Sequence, residues 1–106
     1  PQESEAVLPA GAPIVEIGDP SRVEIVAEFL SQDAVRMKPG AAATIESWGG
    51  PPLPARVQRV EPVARTKISA LGVEEQRTNV ILEFVNPAQA AVLGHDYRVD
   101  ARVLVQ

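Results

Sequence analysis

YRVDARVLVQ, residues 97–106, is the clearest strand in the sequence and the stretch that decides the fold. Its apolar face carries Tyr97, Val99, Ala101, Val103 and Val105. The side chains between them are charged or polar except for Leu104. Successive side chains of a β-strand point to opposite faces of a sheet, so this alternation predicts one buried and one solvated face.

The same period of two recurs upstream. The segments that show it are 22–29, 79–84 and, more weakly, 13–17, 43–48 and 55–62. In the last of these the apolar positions change parity between Val57 and Val60, which a β-bulge would explain. Gly, Pro, Asn and Asp residues separate the segments. Short strands at this spacing predict an all-β sandwich or small barrel rather than a parallel sheet.

One short segment departs from this period and predicts a helix. Ser31 can cap its start through the hydroxyl, and Asp33 suits the first turn. Ala34 and Met37 lie three apart on one face, and Pro39-Gly40 ends the segment after about two turns. A helix this short is unstable alone, so we expect it to pack over an open end of a barrel.

Composition limits the possible functions. With 106 residues the chain is expected to form a single unit, and its net charge of −4 disfavours nucleic acid as a partner. It contains no cysteine, which excludes disulfides and thiolate metal sites. The sequence has no signal peptide and no long apolar run. Because it begins at Pro1 and its only methionine is Met37, we expect it to be a piece of a longer protein.

The order of the segments carries a further signal. The stretches concerned are 7–21 (compare aGxPLxxIxD), 22–29 as the next strand, 31–40 (vrxkpGaxaxI), 55–62 (GxVxrIeP), 77–86 (RtxxVxxxfxNP) and 93–99 (LxpGmyvrV). Together they resemble the periplasmic adaptor proteins, the membrane fusion or HlyD-like family, from Val7 to Val105. The chain departs from the pattern at Ala55, where glycine is common, and at His95-Asp96, where a Gly-Met pair often stands.

The resemblance implies a fold and a division of the chain. It implies a small antiparallel β-barrel of about six strands with one short capping helix. Residues 1–20 would be the end of a lipoyl-like module and its connection, and residues 21–106 would form the β-barrel domain.

The resemblance also implies a function. The family links an inner-membrane transporter, of the ABC or RND type, to an outer-membrane channel in efflux or type I-like secretion. The full-length protein would be periplasmic and anchored to the inner membrane, would contact neighbouring adaptor protomers, and would reach the channel through regions outside this chain. It implies no catalysis and no cofactor.

The stretch KISALGVEEQR, residues 67–77, contains the paired acids Glu74 and Glu75. A catalytic pair needs opposed side chains, whereas neighbours in an extended chain point to opposite faces. We therefore expect a solvated loop. Leu71 and Val73 could fold back onto the barrel, or stay exposed and insert into a partner, with Glu75 and Arg77 setting the register.

Trp48 is the fifth candidate for contact with a partner, after Leu71, Val73, Glu75 and Arg77. It could protrude as an anchor, or it could instead pack and close one end of the barrel. His95, the only histidine, is expected to be a polar turn residue rather than a metal ligand. Ser47 and Ser69 lack a nucleophile motif, and Gly49-Gly50 lacks the helix start of a phosphate loop. No metal or cofactor site is therefore predicted.

Two other functional classes compete with the adaptor. A free-standing ligand-binding β-barrel, for sugar or peptide, is the first alternative. Its aromatic residues are few and scattered, whereas sugar sites need stacking platforms, so the sequence offers it little support. An enzyme is the second alternative, and only the paired acids favour it.

Overall fold

The structure, a computed structural model, describes residues 6–17, 19–89 and 98–105. Their elements are β1 (Ala6–Ile17), β2 (Asp19–Leu30), α1 (Ser31–Ala34), β3 (Ala42–Glu46), β4 (Leu53–Ile68), β5 (Glu74–Phe84), a 3-10 turn (Pro87–Gln89) and β6 (Arg98–Val105). Strands dominate, so the all-β prediction is confirmed. None of the helices in these ranges has the length and apolar character needed to span a membrane.

The strands close into a barrel in the order β1-β2-β5-β4-β3-β6, with every pairing antiparallel. Strand β1 closes the barrel because it pairs with both the second and the last strand of this order, β2 and β6. Its first part, Ala6–Pro13, pairs with β6, and its last part, Ile14–Ile17, pairs with β2. The predicted six-stranded barrel is therefore confirmed. The proposed division at residue 20 stays a prediction, although β1 lies in this same barrel.

The core is the inward face of the strands. In β6 the burial alternates strictly, as the opening stretch predicts. Its buried side chains are Val99, Ala101, Val103 and Val105. Ile25 of β2, Ile45 of β3, Val57 of β4 and Leu82 of β5 are also fully buried. Each such aliphatic side chain contributes about 1.5–3 kcal/mol on burial, so this interior dominates the stability.

Strand β4 contains the predicted bulge. Val57 lies opposite Leu82 and Arg59 opposite Ile81, so Gln58 is an extra residue in β4. A second irregularity follows between Val60 and Ala64, where β4 has three intervening residues and β5 has one. These insertions make β4 longer than its neighbours.

The part of the β4–β5 hairpin nearest its turn extends past the end of β2. Strand β2 pairs with β5 only as far as Arg77, whereas β4 and β5 continue to pair up to Ile68 and Glu74. Residues 66–76, here called the hairpin arm, pair only with one another in the described ladders. These residues do not alternate between buried and exposed, because both faces of the arm are in contact with solvent and most of its side chains are exposed.

The helix differs from the prediction in two ways. It spans Ser31–Ala34, one turn rather than two, and Leu30 rather than Ser31 is its N-cap. The capping prediction is wrong because β2 runs directly into the helix. The Ser31 hydroxyl instead forms a 2.7 Å hydrogen bond with Thr78 Oγ1 of β5. Ala34 and Met37 are buried in the core, as their spacing predicts.

The barrel interior makes a prediction for stability. Leu82 is 0% exposed, so Leu82→Ala should lower the free energy of unfolding by about 2–5 kcal/mol through lost burial and a residual cavity. The matched control is Leu71→Ala, which should change it by less than about 0.5 kcal/mol. Urea unfolding of both variants measures the difference. Equal losses would contradict the assignment of Leu82 to the core.

Candidate partner-contact site: the hairpin arm

The tip of the hairpin arm is an ordered turn. The Ser69 amide donates to the carbonyl of Val73 at 2.8 Å, and the Gly72 amide donates to the carbonyl of Ser69 at 2.9 Å. The Ser69 hydroxyl oxygen accepts from the amides of Leu71 and Val73 at 3.3 and 3.2 Å. Gly72 has a φ of 82°, a left-handed conformation that glycine adopts without strain. These bonds fix the direction in which the tip side chains point.

The turn presents apolar side chains to solvent. Leu71 is 90% exposed and Val73 is 57% exposed. The alternative that they fold back onto the barrel is therefore wrong. Ile68, which the sequence reasoning missed, is 64% exposed and lies at the end of β4 next to the turn. The signal available for it was its place beside the turn, outside any alternating segment.

Glu75 and Arg77 form an ion pair at the base of the arm. Arg77 Nη2 donates to Glu75 Oε1 at 2.7 Å, and both side chains are about a quarter to a third exposed, at 25% and 31%. They lie two residues apart and so share one face of β5. Glu74 lies on the other face and is exposed. The two adjacent acids therefore point in opposite directions, as expected for an extended chain.

A further ion pair ties the arm to the barrel. Lys67 lies opposite Glu75 in the β4–β5 ladder, yet its ammonium group contacts Glu28 of β2 at 2.9 Å. The pair is largely solvated, so it contributes little to stability. Its consequence is geometric, because it connects one strand of the arm to the strand that ends beside it.

Trp48 packs rather than protrudes. The indole is half-buried against the core, and Nε1 donates to the Pro51 carbonyl at 2.7 Å. A β-carbon at Gly50 would overlap the indole ring. Ser47, with a φ of 63°, donates its hydroxyl to the Asp100 carboxylate at 2.6 Å and so ties this turn to β6.

The structure thus brings four of the five predicted contact residues together and separates the fifth. Leu71, Val73, Glu75 and Arg77 all lie in or beside the hairpin arm. Trp48 precedes the first residue of β4, whereas the arm begins with the last three residues of that strand, so the two lie at its opposite ends.

The outer face of the barrel carries ion pairs between strands, some adjacent and one spanning β5. Arg59 contacts Glu24 at 2.8 Å, and this hydrogen bond raises the pKa of the Arg59 guanidinium above its ordinary value. Arg56 contacts Glu83, and Arg102 contacts Glu46. The arginine of each pair is about half exposed, so these pairs set the polarity of the outer face more than its stability.

The described ranges contain no candidate metal-binding site. Among these residues no three His, Cys, Asp or Glu side chains are arranged to hold an ion. His95 lies outside the described residues, so the prediction made for it stays a prediction. Comparison with protein-family models, with curated proteins and with solved structures gives no match.

The Trp48 turn makes a prediction by double-mutant cycle. Gly50→Ala should lower the free energy of unfolding by about 1–3 kcal/mol, because the added methyl group displaces the indole from its position. In a Trp48→Ala background the same change should cost less than about 0.5 kcal/mol. Thermal or urea unfolding of the four proteins measures the coupling. An equal cost in both backgrounds would contradict the packing of Trp48 on Gly50.

Proposed function

We propose that this chain is the β-barrel part of a non-catalytic periplasmic adaptor. In the full-length protein it would help to link an inner-membrane transporter, of the ABC or RND type, to an outer-membrane channel for efflux or secretion. The support is the order of adaptor-like motifs along the chain together with a closed six-stranded barrel and its short helix. The transporter and neighbouring adaptor protomers are the proposed partners.

The exposed apolar tip of the hairpin arm carries the proposal. Three large aliphatic side chains, Ile68, Leu71 and Val73, lie within six residues at an exposed turn. Exposed apolar clusters of this kind mark contact surfaces. The Ser69 hydrogen bonds hold the turn in one conformation, so binding would lose little conformational entropy there.

The packed interior weighs against the alternative of a ligand-binding barrel. Ile25, Ile45, Val57, Leu82 and Val103 fill the described interior and are almost completely inaccessible to solvent. Small barrels filled by side chains leave no room for a ligand inside. A ligand would have to bind on the outer surface, which is the place that an adaptor also uses.

The proposal makes a prediction about the gene. The complete coding sequence should extend beyond this chain and encode the other half of a lipoyl-like module, a long heptad-repeat hairpin and an N-terminal membrane anchor. A transporter gene should lie beside it. Sequencing the locus measures this directly. A short reading frame that ends with residue 106 and encodes none of these parts would refute the adaptor function.

A second prediction concerns the hairpin arm in the full-length adaptor. Leu71→Ser combined with Val73→Ser should reduce co-purification of the adjacent transporter by about tenfold or more, because the apolar contact is lost. The matched control is Val35→Ser combined with Leu104→Ser, the same pair of residue types exposed elsewhere. The melting temperatures of both double variants should stay within about 3 °C of that of the parent protein. Unchanged co-purification of the arm variant would remove the arm from the interface.

A further inference from the structure

A cleft opens on the outer surface where β1 and β2 separate. The ladder between these strands is limited to Ile14–Ile17 of β1 and Asp19–Ile25 of β2. Beyond it, β1 turns to pair with β6 and β2 turns to pair with β5. The space between them is a cleft of ≈ 600 Å³. The β4–β5 hairpin borders it through Arg65, Lys67, Arg77 and Asn79.

The cleft is basic although the chain is acidic. Its lining contains four basic side chains, Arg65, Lys67, Arg77 and Arg98, and two acidic ones, Glu28 and Asp33. The whole chain carries a net charge of −4. The cleft therefore concentrates positive charge on an otherwise negative protein.

Two of the four basic side chains have no carboxylate partner among the described residues. Lys67 pairs with Glu28 and Arg77 pairs with Glu75. Arg65 and Arg98 are exposed and make no ion pair within the described ranges. Arg65 also lies directly opposite Arg77 in the β4–β5 ladder. Like charges in directly opposed positions destabilise a sheet, and an anion between them would relieve that repulsion.

Arg98 reaches the cleft across the neighbouring strand. It belongs to β6 and lies opposite Pro13, yet its guanidinium group lies over the backbone of Gly11 in β1. A β-carbon at Gly11 would be 3.4 Å from Nη2, at the boundary of ordinary van der Waals contact, so the guanidinium group lies directly against this position. Arg98 thus lines the cleft from the far side of β1.

The strand edges in the cleft suit an extended chain. In the described ladders, residues 6–13 of β1 pair on the β6 side, and residues 26–30 of β2 pair on the β5 side. No ladder joins these two stretches to each other in the described part of the chain. Strand edges without a partner present N–H and C=O groups that an extended peptide can use.

We propose that this cleft binds an extended acidic segment of a partner protein. Its carboxylates would meet Arg65 and Arg98, and its backbone would lie along the edges of β1 or β2. An anionic membrane fits less well, because a flat surface would face the whole negative chain, whereas a short peptide meets only the local cations. The proposal does not depend on the adaptor function, since it rests on the charges and edges of the cleft alone.

The test is a titration of the complete 106-residue chain with a labelled eight-residue peptide that alternates Glu and Thr. Binding is followed by fluorescence anisotropy and by amide chemical shifts in NMR. We expect the shifts to concentrate at Ala10, Gly11 and Val26–Leu30. The affinity should fall by about tenfold or more in Arg65→Glu and in Arg98→Glu, because each reversal replaces attraction by repulsion.

The control variant is Lys38→Glu, which makes the same charge change at an exposed position outside the cleft. Its affinity should stay within about twofold of the parent, because at physiological salt the charge is screened over about 8 Å. The control peptide alternates Gln and Thr and should bind at least about tenfold more weakly.

Four outcomes would overturn the proposal. They are undetectable binding of the acidic peptide, equal binding of the Gln peptide, equal losses in the Lys38→Glu control, and shifts confined to the hairpin arm. If the acidic peptide does not bind but phosphatidylglycerol vesicles do, the proposal is also overturned, and the cleft would be assigned to a lipid surface instead. Loss of transporter contact in the arm variant would leave this result unaffected.

Discussion

Burial of one face of every strand is the constraint on which this structure depends. Six strands with one apolar face each cannot exclude water from a flat sheet, and a chain of 106 residues has few elements with which to cover it. Closing the sheet on itself solves both problems. Strand β1 makes the closure by pairing with β6 through its first part and with β2 through its last part. Ala34 of the short helix and Met37, three residues after it, add to the same core.

A filled interior moves recognition to the outer surface. The second irregularity of β4, between Val60 and Ala64, lengthens the strand, and the β4–β5 hairpin extends past the end of β2 as an arm with an apolar tip. The change of partner within β1 opens the basic cleft beside that hairpin. Both proposed contact surfaces are therefore consequences of how the barrel closes: one is apolar and ordered by Ser69, and the other is cationic and lined by Arg65 and Arg98.

The predictable parts are those in which a local pattern reports burial. Alternation identifies β6, and the change of parity between Val57 and Val60 identifies the bulge, because side-chain direction follows directly from backbone geometry. The less predictable parts depend on residues distant in sequence. Thr78 lies 47 residues from Ser31 and takes its hydroxyl away from the helix end, so the capping signal misleads. The cleft joins Arg65 and Arg98 from different strands, and no local pattern indicates their proximity.

Closure of the barrel by β1 is the central claim, and cross-strand NOEs test it most directly. Strand β6 should show contacts on both sides, from Ala101 to Ala10 of β1 and from Ala101 to Ile45 of β3. Strand β1 should in turn show contacts from Val15 to Glu24 of β2. A closed barrel should give all three contacts in one sample. Contacts between β6 and β3 without those from β1 would describe an open sheet and contradict it.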